Sequence, residues 1–290
     1  MRARRSLRST FRALIVSLVR VLTLNCWHVS EPFAERMALI RAGIAALKPD
    51  LIGLQEIIVR RDGFDQGALI FHGLPYQHVF GCAFCWDDPS RLMSGEARHE
   101  AFGNLIASRW PIAAHERREL PGFEESGDRR CALAARITTP FGEAVMLCTH
   151  LNWNRHEGAI RERQARAVAD FAREWTRGVT VPPIVVGDLN AEPDAPEVRI
   201  LTDAASADGH TTHFQDAWRV AGTGSGYTWD NRNRFAAQSV EPDRRIDYVL
   251  VGLAGRSRQG RVDRVALAFD QPTADVWASD HFGVVADIRV

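Results

Sequence analysis

Apolar and polar positions alternate along this chain in two different periods. Val21 to Asn25 is apolar and β-rich, which predicts a strand. The period then changes. Phe33, Met37, Ile40, Ile44 and Leu47 recur at helical spacing, so Pro32 to Leu47 predicts a helix that Lys48-Pro49-Asp50 ends. Pro32 sits near its start, where a fixed φ costs nothing. Leu51 to Gln55 predicts a buried strand ending at Glu56, and Phe102 to Ala107 another, punctuated by Trp110-Pro111. Ala132 to Ile137 and Glu143 to Thr149 flank Thr139-Pro140-Phe141-Gly142, a hairpin signature. Ala159 to Trp175 predicts a second long helix with Ile160, Ala167, Val168 and Phe171 on one face; Arg161, Glu162, Arg163 and Arg166 are expected on its solvated side. Strands follow at Pro182 to Gly187, Ile246 to Val251, Val262 to Phe269 and Gly283 to Val290, with a short helix at Glu197 to Ala204. The stretches from Gly63 to Gly95 and from Ala205 to Arg244 carry no clear period and are expected to be irregular. Loops of that length in a compact domain usually serve function.

Strands outnumber helices, and hairpins coexist with crossovers. That pattern favours two packed mixed sheets flanked by helices, an α+β arrangement, over a doubly wound parallel sheet. No repeat, linker or low-complexity block interrupts it, so one domain is expected over residues 21–290. Residues 1–20 differ. Arg2, Arg4, Arg5, Arg8 and Arg12 precede a short apolar run from Ala13 to Val19, which resembles the start of a signal peptide. No small-x-small cleavage site follows, the run passes straight into the Val21 strand, and it is too short to span a bilayer. A loosely ordered basic arm is the expectation, with cytoplasmic location favoured over secretion or attachment to a membrane surface.

Composition narrows the field modestly. Lys plus Arg and Asp plus Glu both total 36, so net charge points to no nucleic-acid partner, although a local basic groove is compatible with it. Lys48 is the only lysine; the excess of arginine reads as compositional bias rather than a binding signal. The five cysteines, Cys26, Cys82, Cys85, Cys131 and Cys148, are odd in number and irregularly spaced. Cys82 and Cys85 make a lone CxxC with no second pair to complete a zinc site; a redox pair is the lesser alternative, and buried or semi-buried reduced thiols are the expectation.

Chemistry-bearing residues collect where strands end. Asn25 closes the first predicted strand, Glu56 the second and His150 another. Asp188 and Asn190 follow the Pro182 strand, Asp247 lies early in the Ile246 strand, and Asp280-His281 precede the last. Any one of these reads equally well as a turn or a helix cap. The Gly187-Asp188-Leu189-Asn190 turn taken alone is an Asx turn; Gly187 would let another group approach where a Cβ would block it. Together the carboxylates, carboxamides and histidines suit a single pocket.

Seven segments carry a resemblance. They are Leu24-Asn25-Cys26-Trp27, Asp50 to Glu56, Gly103 to Arg109, Thr149-His150-Leu151-Asn152, Gly187-Asp188-Leu189-Asn190, Arg245 to Val249 and Ser279-Asp280-His281. In this order they resemble the endonuclease/exonuclease/phosphatase superfamily, over nearly everything from Val21 to Val290. The resemblance implies a deoxyribonuclease-like, four-layered α/β sandwich whose catalytic domain spans 21–290, and a Mg²⁺-dependent phosphoric ester hydrolase in which Mn²⁺ can substitute. It implies that Glu56 is the principal metal ligand, with Asn25 and Asp280 close to it. His150, Asp188, Asn190, Asp247 and His281 would be catalytic: Asp188 orients or deprotonates water, Asn190 positions water or phosphate, His281 donates to the scissile phosphate, Asp247 holds the His281 ring, and His150 is a second donor. Asn104, Asn152 and Arg130 are candidate substrate contacts, with Asn104 shaping the pocket floor. His156, His210 and His213 read as loop histidines, and Tyr248 and Trp229 as core or wall.

The segment Gly226-Tyr227-Thr228-Trp229-Asp230-Asn231-Arg232-Asn233 and the helix start Arg161-Glu162-Arg163-Gln164 resemble the sphingomyelinase-like branch more than the DNA-repair branch. No apolar membrane-docking hairpin accompanies them. A phosphodiesterase acting by in-line attack of activated water is the leading expectation. A DNA or RNA nuclease is the close alternative, and a non-catalytic phosphate-binding protein the remote one. A monomer with no transmembrane segment is expected.

Overall fold

The computed structural model describes residues 17–290 except 86–98, 180, 203, 207–208, 210–211 and 254–258. Two six-stranded sheets pack face to face. The first has the order β11-β12-β1-β2-β4-β3 and comprises β1 (Leu18–Asn25), β2 (Leu51–Arg60), β3 (Gln77–Phe84), β4 (Glu100–Ser108), β11 (Val262–Ala268) and β12 (Gly283–Arg289). The second has the order β5-β6-β7-β8-β10-β9 and comprises β5 (Ile112–Glu119), β6 (Cys131–Thr139), β7 (Gly142–His150), β8 (Ile184–Asp188), β9 (Phe214–Asp216) and β10 (Asp247–Gly252). Helices α1 (Phe33–Leu47) and α2 (Gln66–Phe71) belong to the first half. Helices α3 (Phe123–Ser126), α4 (Gly158–Trp175), α5 (Pro196–Leu201) and α6 (Ala217–Ala221) belong to the second. This is the four-layered sandwich expected from the sequence.

Period-2 patterning places the core. In β1, Val19 and Val21 face the other sheet, where Met146, Cys148, Ile184 and Val186 meet them. Leu22 and Leu24 point the opposite way, onto Met37, Ile40 and Ile44 of α1. In the second sheet Val145, Leu147 and Val185 pack outward on Ala165, Val168 and Phe171 of α4. Both faces of each central strand are therefore buried, and these strands read as nearly continuous apolar runs.

Each sheet holds one parallel pair, β1 with β2 and β7 with β8, and every other pairing is antiparallel. A parallel pair needs a long crossover. Helix α1 supplies the first and α4 the second, so the C-terminal ends of both pairs come to the same side of the sandwich.

Several boundaries differ from the pattern-based reading. β1 starts at Leu18, inside the expected arm, and residues 1–16 lie outside the described residues, as does His210. β2 continues past Glu56 to Arg60. The first stretch expected to be irregular contains α2 and β3, and the second contains β9, α6 and a 3-10 turn at Ala236–Ser239. β5 escaped the sequence because Ile112–Glu119 is an edge strand of largely polar residues; exposed edges bear charge to resist further pairing. Two side-chain expectations are overturned. Arg161 is buried, not solvated. Cys82 and Cys85 are joined in a disulfide near the end of β3, their Cα atoms 5.6 Å apart, while Cys26, Cys131 and Cys148 are buried thiols outside any disulfide, as expected.

Candidate active site

The strand ends of the two parallel pairs open on one cleft of about 450 Å³. Glu56, His150, Asp188, Asn190, Asp280 and His281 line it, together with Trp27, His28, Phe102, Arg130, Trp153 and Trp229. β8 runs between β7 and β10, so Asp188 lies opposite His150 on one side and opposite Asp247 on the other. Gly187 makes the approach of β7 feasible. Its φ is 152°, and a Cβ there would sit 1.9 Å from the Thr149 carbonyl oxygen.

Asp188 divides its two oxygens between two tasks. Oδ1 accepts the Asn190 N–H at 2.8 Å, closing an Asx turn with Asn190 at φ 50°. Oδ2 lies 3.1 Å from Asn25 Nδ2, 3.4 Å from His150 Nε2 and 3.7 Å from His281 Nε2. The motif is thus an Asx turn, as read in isolation, and it also lines the cleft.

Glu56 reaches the cleft by a break in the ladder. The register of β2 against β4 shifts between Leu54 and Ile57, and Glu56 adopts φ 58°. A bulge bends a strand and re-aims a side chain. Here it leaves Gln55 fully buried against Thr23 and Cys148 while turning Glu56 to the cleft. A left-handed glutamate costs about 1–3 kcal/mol, which the packed ladder on either side sustains.

Asn25 ties the sheets together. Its Nδ2 donates to Glu56 Oε1 at 3.2 Å and to Asp188 Oδ2 at 3.1 Å, while its Oδ1 accepts the Trp27 N–H at 3.0 Å. Two carboxylates and one amide N–H fix which way this carboxamide faces. Its oxygen thus accepts from the backbone, and its amide N–H groups link the two acidic groups.

The two histidines of the cleft differ in charge. Burial drives His281 down, but Asp247 and Asp188 together outweigh it and hold the ring well above the usual histidine range. Its Nδ1 donates to Asp247 Oδ2 at 2.8 Å, and the edge of the ring meets Trp229. His150 is held well below the usual range by burial, Arg130 and the charged His281. Its Nε2 accepts from Asn190 Nδ2 at 3.0 Å, and the same amide donates to the Leu151 carbonyl at 3.1 Å. The neutral ring then carries its proton on Nδ1, which is buried and has no protein partner. Nε2 is therefore an acceptor in this arrangement.

The acids outnumber their cations. Burial is the first cause that raises each of Glu56, Asp247 and Asp280, the last to about 6. Asp247 has His281. Among the described residues, Glu56 and Asp280 have no cationic partner at salt-bridge distance. Buried carboxylates left this way call for a positive charge, and hard oxygen donors suit a hard divalent ion. Asp188, Asp247 and His281 also offer ligand atoms within 4.8 Å of one another, close enough to hold a metal.

Of the candidate substrate contacts, Arg130 lines the cleft, paired with Asp128 at 2.7 Å. Asn104 and Asn152 are buried and serve the backbone. Asn104 Nδ2 donates to the Cys131 carbonyl, and Asn152 Oδ1 accepts the Asn154 N–H. Tyr248 is core, its hydroxyl donating to the Ala191 carbonyl. Supporting residues were missed. Ser279 Oγ donates to the Asn25 carbonyl at 2.6 Å, the Thr228 hydroxyl accepts the N–H groups of Ile246 and Asp247, and Asn233 Nδ2 donates to the carbonyls of Ser279 and Asp280. Thr228 and Asn233 belong to the Thr-Trp-Asp segment, which sequence singled out only for its resemblance. Arg36, fully buried in α1, left no signal beyond its helical position.

Comparison with known proteins agrees with this geometry. The model of the Endonuclease/Exonuclease/phosphatase family matches residues 22–281. Among solved structures, an endonuclease/exonuclease/phosphatase from Beutenbergia cavernae is similar with a TM-score of 0.72 and 26% identity, over 94% of this chain and 72% of that one. TDP2 from C. elegans has the same fold at a TM-score of 0.70 and 21% identity, over 94% and 75% of the two chains. So does the human Nocturnin catalytic domain with bound sulfate anion, at 0.67 and 18%, over 95% and 98%. Among curated proteins none matches. A family match over nearly the whole chain, joined to a cleft of this composition, establishes that the chain belongs to the endonuclease/exonuclease/phosphatase family, whose members are generally phosphoester hydrolases.

Proposed function

We propose that this protein is a divalent-metal-dependent phosphodiesterase in which a water molecule attacks phosphorus in line. The observation that carries this reading is the line of groups from Asp247 through His281 to Asp188, faced by Glu56 and joined to it by Asn25. A divalent cation, Mg²⁺ by the hardness of its donors, would be held by Glu56 and Asp280 and would neutralise charge on the phosphate oxygens. The Asp188, Asp247 and His281 triple is a poorer seat for it, because the His281 ring is held in its charged form, with a proton on each nitrogen, and an ion would have to displace one of them.

The chain's own groups divide the remaining work. Asp188 Oδ2 accepts a proton from the attacking water as the oxygen–phosphorus bond forms and the ester P–O bond breaks on the opposite side. His281, charged and held by Asp247, donates through Nε2 to a non-bridging phosphate oxygen whose charge grows in the transition state. Asn190 and the neutral His150 hold Asp188 and the turn in place; with Nε2 accepting, His150 acts through Asn190 and not as a direct phosphate donor. Arg130 draws the anionic ester into the cleft.

The deciding experiment is a substrate panel with Mg²⁺: bis(4-nitrophenyl) phosphate, 4-nitrophenyl phosphate, plasmid DNA, RNA, inositol phosphates and sphingomyelin. Diester hydrolysis that EDTA abolishes and Mg²⁺ or Mn²⁺ restores is expected. Full activity in chelator would sink the metal-dependent reading, and plasmid nicking without diester hydrolysis would reassign the protein as a nuclease.

A further inference from the structure

Trp153 is 64% exposed, yet it lines the cleft. A single surface tryptophan needs no explanation in general. This one differs because the loop that presents it is held from beneath. The Asn152 N–H donates to Gln164 Oε1 at 2.8 Å, and the Asn154 N–H to Asn152 Oδ1 at 2.9 Å. Arg161 Nη1 donates to the Asn154 carbonyl at 2.6 Å and to the Asn152 carbonyl at 3.4 Å, and Nη2 to the Arg155 carbonyl at 3.4 Å. Arg161 is itself fixed by Glu197 at 2.6 Å, both side chains being buried. The backbone on both sides of Trp153 is thus braced by buried groups while its ring is left open to the cleft.

Its position is bounded by the chain. It lies three positions after His150, so their Cα atoms are at most about 11 Å apart. The ring therefore belongs to the cleft that Glu56, His150, Asp188 and His281 line, not to a remote edge. Its sequence neighbours Asn154, Arg155 and His156 are polar, which argues against insertion into a lipid surface, where a tryptophan keeps apolar company.

We infer that Trp153 is a specificity-determining residue, a fixed platform on which a flat aromatic group of the ester's alcohol stacks, so that aryl and heteroaryl phosphoesters are preferred over alkyl ones. The inference rests on the phosphoester reading above and narrows it to a substrate class. An indole face held in place loses little freedom when a ring lands on it, and aromatic stacking of this kind is worth roughly five- to a hundredfold in binding.

The test uses equilibrium binding, which turnover does not enter. Phenyl phosphate, methyl phosphate and inorganic phosphate are titrated calorimetrically into the full chain with Mg²⁺, for the wild type, Trp153→Ala and Trp153→Phe. Phenyl phosphate should bind the wild type more tightly than methyl phosphate. Trp153→Ala should weaken phenyl phosphate about tenfold and leave methyl and inorganic phosphate unchanged, and Trp153→Phe should recover most of the loss. Equal weakening of all three ligands, or no change for any, overturns the inference. So does Trp153-dependent sedimentation with phosphatidylcholine–phosphatidylglycerol vesicles in place of ring selectivity. If the ring preference is found but no ester is hydrolysed, the inference stands and the proposed activity fails.

Discussion

The two parallel units of this molecule, β1–α1–β2 in one sheet and β7–α4–β8 in the other, are built to one plan and finished differently. In each, a strand ends on a polar residue at the cleft, Asn25 or His150, and a loop leads into the crossover helix. In each, the fourth residue of that helix is a buried arginine that grips the loop's carbonyls. Arg36 bonds the carbonyls of Cys26, Trp27, Ser30 and Ala278, and Arg161 those of Asn152, Asn154 and Arg155. The difference lies in charge. Arg161 is neutralised by Glu197, and Asp188 in its unit is hydrogen-bonded on both oxygens. Among the described residues Arg36 bonds carbonyls and lies over the Trp27 ring with no acid at salt-bridge distance, and the Glu56 side chain has a hydrogen bond from Asn25 alone. The second unit is complete as it stands, whereas the first leaves Glu56, like Asp280 beside it, without a cation at salt-bridge distance among the described residues. Repetition of the plan makes the cleft, and under the proposed function the unequal finish would put the metal on one side and proton handling on the other.

The largest effects should come from the side that handles protons. Asp188→Asn and His281→Ala are each expected to reduce diester turnover by roughly 10³-fold or more, since each removes a group whose interaction grows in the transition state. Circular dichroism and melting should show both variants folded. Retention of a tenth of the activity by either would mean that water is activated elsewhere.

The next effect belongs to the acid-rich unit. Mg²⁺ or Mn²⁺ should raise the melting temperature of the wild type, with about 2.7 kcal/mol of stabilisation at a metal concentration a hundredfold above Kd. Glu56→Gln should abolish that shift, and Asp188→Asn should retain most of it. If Asp188→Asn loses the shift and Glu56→Gln keeps it, the metal belongs in the Asp188, Asp247 and His281 triple and the assignment of the two sides is reversed.

These expectations also show how much of the site was open to the sequence. Places at or near expected strand ends and starts announced Glu56, His150, Asp188, Asn190, Asp247, Asp280 and His281, because a polar residue bordering an apolar strand goes to a cleft or a turn, although β2 runs on past Glu56. Their convergence on one cleft follows from the two helical crossovers, and the helices themselves were predicted by the spacing of Met37, Ile40 and Ile44 and of Ile160, Val168 and Phe171. What stayed hidden depends on direction and burial. Nothing in the sequence says that the oxygen of Asn25 faces Trp27, that a bulge turns Glu56 outward, or that Arg161 lies inside while Arg163 lies out. Long side chains bury or expose according to a partner, and Glu197, the partner of Arg161, lies a whole strand away along the chain. Edge strands such as β5 were equally mute, since their apolar signal is suppressed where charge guards the edge.

A third experiment probes the two arginines by stability. Glu197→Ala leaves Arg161 buried and unpaired and should cost about 3–5 kcal/mol. Replacing both partners with apolar groups, Arg161→Met with Glu197→Leu, should recover part of that loss, because a buried pair repays little beyond its own desolvation. Urea denaturation of the two variants decides it. No double substitution of that kind exists for Arg36, whose partners are main-chain carbonyls, and Arg36→Met should remain costly whatever accompanies it.

The smallest expected effect is in pH dependence, and it separates the two histidines by sign. His150 is held neutral in the folded protein, below its unfolded value near 6.5. As pH falls through that unfolded value, the unfolded chain takes up a proton that the folded chain refuses, so stability declines on the acid side. His281 is raised. Its contribution is fully present below about 6.5 and is lost as pH climbs towards its folded value. His150→Asn should therefore flatten the fall in stability between about pH 6.5 and 5 and leave the alkaline side alone, and His281→Asn should do the reverse. Urea midpoints measured across this range in EDTA read both slopes without turnover. Flattening of the same limb by both variants would mean that the rings share one charge state, and the division of the cleft into a proton-handling charged ring and a neutral supporting ring would have to be abandoned.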